Sequence, residues 1–117
     1  LYVSVHVNAV GSDGKWHDAR GWQVHVSTTA SQSSKLLADC LFDSAKSNGL
    51  KTRQPSFMQK YWPQSLYVLG NTKCPAVLTE NLFQDKKDDV DYLLSEAGRH
   101  AIARLHVEGI INYINKN

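Results

Sequence analysis

The sequence predicts an α/β fold, a mostly parallel β-sheet flanked by helices. Two patterns carry that prediction. Short β-branched runs alternate along the chain with stretches of helical period. One strand-like run, in "PAVLTE" at 75–80, is continuously apolar, as suits a strand buried on both faces.

Taken in order, "LYVSVHV" at 1–7 alternates and is rich in valine, which predicts a strand; "NAVGSDGK" at 8–15 then supplies turn residues. "GWQVHVS" at 21–27 alternates again, with Trp22, Val24 and Val26 on one face and Gln23 and His25 on the other. Trp22, in register with the valines, is expected in the core. From Ser31 to Asn48 the spacing turns helical: Leu36, Leu37, Cys40, Leu41 and Ala45 recur at helical intervals, Ser/Thr cap candidates precede them, and "NG" at 48–49 closes the helix. Residues 51–64 hold two prolines and no period, and read as a surface loop. "SLYVL" at 65–69 reads as a short strand, and 75–80 as the next. Residues 85–94 predict a short acidic helix. Ser95 is placed to cap a last helix, with Glu96 in its first turn and Ala101, Ile102, Leu105, Gly109, Ile110 and Tyr113 as its buried stripe.

The 117 residues make a single domain over 1–117, of a size that buries roughly 65% of its unfolded surface. The net charge of +2, with Lys and Arg scattered rather than striped, argues against a nucleic-acid partner and leaves room for an anionic polymer. No stretch reaches the ~18–20 apolar residues of a membrane span. The chain opens on a strand rather than on Met or a signal peptide, so its start reads as the middle of a gene product and gives no localisation. Cys40 and Cys74 lie among apolar neighbours and are expected as buried free thiols rather than a disulfide.

Polar groups gather where strands end: His6 followed by Asn8, His25, and Glu80 closing "PAVLTE". In α/β sheets, sites form at the carboxyl ends of strands, and a carboxylate after an apolar run is costly to bury unless it is paired or functional. Taken singly, His6 reads as a core histidine and Glu80 as a capping or salt-bridged residue. Trp16 and Trp62 sit in the two loops best placed to line a groove.

Six pieces in order change that balance: "SVHVNA" at 4–9, "GWQV" at 21–24, "SSKLLA" at 33–38, "PAVLTENLF" at 75–83, Asp89 with Leu93 and Leu94, and "IARLHVEGI" at 102–110. Together they span nearly the whole chain, and the set resembles the zinc-dependent N-acetylmuramoyl-L-alanine amidases of bacterial cell walls and phage-type lysins. The resemblance implies that His6 is a zinc ligand and Glu80 the catalytic carboxylate, with Asn8, Trp16 and Trp62 as substrate-contact candidates. It implies hydrolysis of the amide between N-acetylmuramic acid and L-alanine of the stem peptide. Zinc would polarise that unreactive amide and acidify a water, and the glutamate would move the proton. Peptidoglycan would be the partner, and the parent protein a periplasmic or extracellular enzyme or a phage-encoded lysin.

The departures from the family pattern shape the expectation. The family's other two zinc ligands, in a Gly-His-Gly-type loop and on the helix after it, precede the His-x-Asn strand, and this chain begins almost at that strand. It therefore reads as a partial catalytic domain that lacks the N-terminal strand and helix, holds an incomplete zinc site and is inactive by itself. His17, His25, His100 and His106 are weak substitutes, His25 the least so. Lys86 stands where the family often has Asn. A missing strand would leave an open sheet edge, which predicts self-association or a companion segment. Two other readings stand beside the amidase: a non-catalytic wall-binding module on the same scaffold, and a zinc hydrolase of another amide.

Overall fold

A computed structural model describes residues 1–116. Four strands form one sheet in the order β1-β4-β2-β3, with β1 at Tyr2–Asn8, β2 at Trp22–Val26, β3 at Trp62–Pro63 and β4 at Ala76–Phe83. β1 runs parallel to β4 and β3 parallel to β2, so the sheet is mostly parallel as predicted; β2 runs antiparallel to β4. Four helices complete the fold: α1 at Gln32–Ser47, α2 at Tyr67–Gly70, α3 at Lys87–Leu94 and α4 at Glu96–Lys116.

The core lies between the sheet and the pair α1 and α4. Trp22, Val24 and Val26 of β2 and Val77 of β4 pack there against Leu37, Leu41, Leu105 and Tyr113. α1 begins where Ser31 Oγ accepts the Ser34 amide at 3.1 Å, a side-chain cap on its orphan donors. The buried Ser44 Oγ donates to the Leu105 carbonyl at 2.8 Å and pins α1 to α4. Gly109 permits the close approach of these helices: a Cβ there would stand 2.7 Å from Leu41 Cδ2 and 3.0 Å from Leu41 Cα. Ser95 Oγ accepts the Gly98 amide at 3.0 Å, the expected cap of α4.

Three local expectations need correction. "SLYVL" is not a strand: Tyr67–Gly70 form the single helical turn α2, and Leu69 and Leu66 cover Ala76 and Leu78 on the sheet face opposite α1. An apolar run of five residues does not distinguish a strand from a helical turn by period. The loop at 51–64 carries strand β3, which pairs His25 with Trp62. Cys40 is a buried free thiol, whereas Cys74 is exposed, because it lies in the turn before β4.

β1 is an edge strand with no strand on its outer side among the described residues. Val5 and Val7 are 58% and 45% exposed.

Candidate active site

Strand register assembles the site. His6 of β1 and Gln23 of β2 both pair with Glu80 of β4, so the three stand in a row across the sheet. Period-two alternation puts all three side chains on the α2 side, away from the main core. Leu78 and Ala76, two and four residues before Glu80, pack under α2 on that same face.

Glu80 is half-buried, and its Oε2 is enclosed without a hydrogen-bond partner. Burial raises its pKa above the usual carboxylate range, and the charge of His6 opposes that rise. A carboxyl group pushed toward neutrality with a free oxygen is equipped to take and return a proton. His6 is exposed, and its Nε2 lies 2.8 Å from Ser4 Oγ. The motif strand thus brings the two central sequence-predicted residues side by side.

A bulge ends the row. His6 pairs with Glu80 and Asn8 with Phe83, so Asn81 and Leu82 together face Val7. Leu82 has φ +70°, in the left-handed region that costs a leucine of order 1–3 kcal/mol. The extra residue lets both Asn81 and Leu82 point into the core and returns Phe83 to the Glu80 face. Asn81 is almost fully buried and satisfied: its Oδ1 accepts from Trp22 Nε1 at 2.8 Å, and its Nδ2 donates to the His6 carbonyl at 3.0 Å and to Thr79 Oγ1 at 2.9 Å. Thr79 Oγ1 then donates to His106 Nε2 at 2.9 Å, and His106 Nδ1 donates to the Ile102 carbonyl at 2.7 Å. Desolvation lowers the pKa of His106, which keeps it neutral and able to accept from Thr79. This chain of bonds runs from the core tryptophan to α4 and holds the backbone of His6 beside Glu80.

The remaining predicted residues spread out around this row. Asn8, opposite Phe83, turns its Oδ1 onto the Ala9 amide at 2.9 Å. Trp16 is 59% exposed and lines an open cleft of about 440 Å³ with Lys15, Gln84 and Asp85. Asp85 anchors that loop by accepting the amides of Val10 at 2.8 Å and Gly11 at 3.2 Å. Trp62 lies on β3, half-buried, with Nε1 donating to the Arg53 carbonyl at 3.4 Å.

Gln23 joins the row beside Glu80, and Arg53 joins Gln23; neither was among the expected site residues. Gln23 Oε1 accepts from Arg53 Nη1 at 2.9 Å, and Gln23 Nε2 donates to His25 Nε2 at 2.8 Å. "GWQV" was the available signal for Gln23. For Arg53, in an aperiodic loop, there was none.

Among the described residues, no three His, Cys, Asp or Glu side chains gather into a group able to hold a metal ion. His17 is bound to Asp13 at 2.9 Å, His106 is occupied at both ring nitrogens, His25 has Nε2 engaged by Gln23 and Nδ1 buried without a partner, and His100 lies exposed on α4. A catalytic zinc takes three protein ligands, and these residues offer His6 as one donor beside Glu80. The set does not fit a complete zinc site.

The comparisons with known proteins agree with this architecture. The family model described as N-acetylmuramoyl-L-alanine amidase matches residues 1–112. The endolysin of Bacillus phage SPP1 is 36% identical over 115 residues, which are 98% of this chain and 40% of that protein. Among solved structures, the CwlD amidase of Clostridioides difficile, determined in complex with the GerS lipoprotein, superposes with a TM-score of 0.80 at 26% identity, over 98% of this chain and 54% of that one. The catalytic domain of the CD27L endolysin, targeting Clostridia difficile, gives 0.66 at 29% identity, over 94% and 53%. The chain thus spans about half the length of these structures, and less of the phage relative. It belongs to the N-acetylmuramoyl-L-alanine amidase family.

Proposed function

We propose that this chain contributes the Glu80 half of an amidase site that cleaves peptidoglycan between N-acetylmuramic acid and L-alanine of the stem peptide. The observation that carries this reading is Glu80: a half-buried carboxylate of raised pKa, with a free oxygen, in register with His6. In this reading Glu80 takes a proton from the attacking water and delivers it to the leaving nitrogen. The family is generally zinc-dependent, and zinc, when bound, would polarise the scissile carbonyl; His6 is the donor this chain offers it. Because the described residues supply one such donor, the 117 residues by themselves are expected to be inactive.

The test is wall digestion by the full-length gene product. Release of peptides with a free N-terminal L-alanine, its loss on chelation, and its loss in Glu80→Ala with metal retained would bear the proposal out. Full wall lysis by Glu80→Ala would overturn it. One observation favours a second reading, a wall-binding module without catalysis: among the described residues no group of metal-ligating side chains accompanies His6. Stoichiometric zinc in the full-length product would reject that reading.

A further inference from the structure

Arg53 extends the row His6–Glu80–Gln23 by one more side chain. Its backbone is fixed: the amide donates to the Trp22 carbonyl at 2.8 Å, and the carbonyl receives Trp62 Nε1 at 3.4 Å. Its guanidinium lies over the ring of Phe83, 5.0 Å from the centroid, which the bulge has returned to this face. Gln23, held on its other side by His25, steadies Nη1.

Neutral groups thus hold a half-buried cation. Among the described residues no carboxylate pairs with Arg53, and the ion pairs of the fold lie at the surface or in exposed loops. Asp89, on the neighbouring helix, spends its Oδ2 on the amides of Gly21 at 3.2 Å and Phe83 at 3.0 Å. A guanidinium carries five N–H donors in a planar fork suited to a carboxylate, and here one nitrogen is engaged. A rigidly seated and unneutralised fork, one residue removed from the proton-transfer group, has the properties of an anion subsite rather than of a structural ion pair.

We propose that Arg53 recognises a carboxylate on the peptide side of the scissile amide, so that the enzyme selects acidic over amidated stems. The inference rests on the amidase reading above. The test uses the zinc-loaded full-length gene product and two N-acetylmuramoyl-L-alanyl peptides, identical except that the residue after alanine ends in a free carboxylate or a primary amide. The wild type is expected to show a KM roughly 10-fold to 100-fold lower for the carboxylate substrate, the range of a charge-assisted hydrogen bond. Arg53→Gln brings the ratio of the two KM values close to one, and Arg53→Lys restores part of it. Hydrolysis of both substrates by the wild type with equal KM overturns the inference alone. Equal losses on both substrates in Arg53→Gln also overturn it, and assign Arg53 a structural role. Hydrolysis of neither by the wild type overturns the amidase reading itself.

Discussion

The two faces of β4 are built from alternate residues of one strand and follow opposite rules. On the face toward α4, Thr79 and Asn81 are buried and their side chains find partners in Trp22, His106 and the His6 carbonyl. On the face toward α2, Glu80 keeps a buried oxygen without a partner, and His25 likewise keeps an unpartnered Nδ1. Polar groups buried in a fold are ordinarily satisfied. The saturated face holds the strands in register; the unsatisfied face retains hydrogen-bonding capacity for something outside the chain. A few ångströms of sheet thickness separate stability from chemistry.

Exchanging residues between those rules should separate the two effects. The largest is expected at Glu80. In the full-length product Glu80→Gln should lose about 10²–10⁴-fold in amidase rate, the usual share of a positioned proton-transfer group. It should melt no lower than the wild type at neutral pH, because it removes a charge that burial already disfavours. Activity in the wild type should rise with pH through the pKa of Glu80, on an acid limb shifted above the ordinary carboxylate range. A lowered melting temperature in Glu80→Gln would mean that the carboxylate is structural.

On the other face Asn81→Leu keeps the branched shape, leaves the buried Trp22 Nε1 without its acceptor and removes the side-chain donor to the His6 carbonyl. That should cost about 1–3 kcal/mol, the penalty of one orphaned buried donor, measured by denaturant unfolding. A cost under 0.5 kcal/mol would deny the network its clamping role.

A smaller effect is expected from His106. Its folded pKa lies below the ordinary histidine value, so the unfolded chain takes up the proton first as pH falls. Its contribution is therefore complete above about pH 6.5 and is lost on acidification toward the folded pKa. Glu80 has the opposite sign: its burial penalty is relieved as pH falls. Stability curves of the wild type and His106→Gln between pH 7 and 5 should converge toward the acid end. Parallel curves would refute the coupling. The smallest effect concerns β1, whose open edge and exposed Val5 and Val7 are expected to make the isolated 117 residues associate. A cooperatively melting monomer in sedimentation would count against it.

Much of this arrangement was legible in the sequence. Period identified β1, β2, α1 and α4, a continuous apolar run marked β4, an acidic stretch marked α3, and the ordered motifs singled out His6 and Glu80, which the register then placed side by side. What escaped depended on contacts distant in the chain. The antiparallel course of β2 leaves no local trace, since strand direction is set by the partner it meets. Arg53 belongs to the site only because β2 captures the loop that carries it. The bulge was hidden because a left-handed residue is ordinarily announced by glycine, and here it is Leu82.

That leucine has a consequence for anyone redesigning the strand. Alternation in β4 shifts phase by one residue at position 82, so the strand obeys two frames, one up to Glu80 and one from Phe83 onward. A deletion at this point would restore a regular ladder and look like an improvement. It would leave Phe83 opposite Asn8 and on the face of Glu80, and would take from the core the side chain of Leu82. Forcing all eight residues of β4 into one regular ladder would instead turn Phe83 inward and take the aromatic floor from beneath Arg53, so the irregularity is what lets one strand serve both faces.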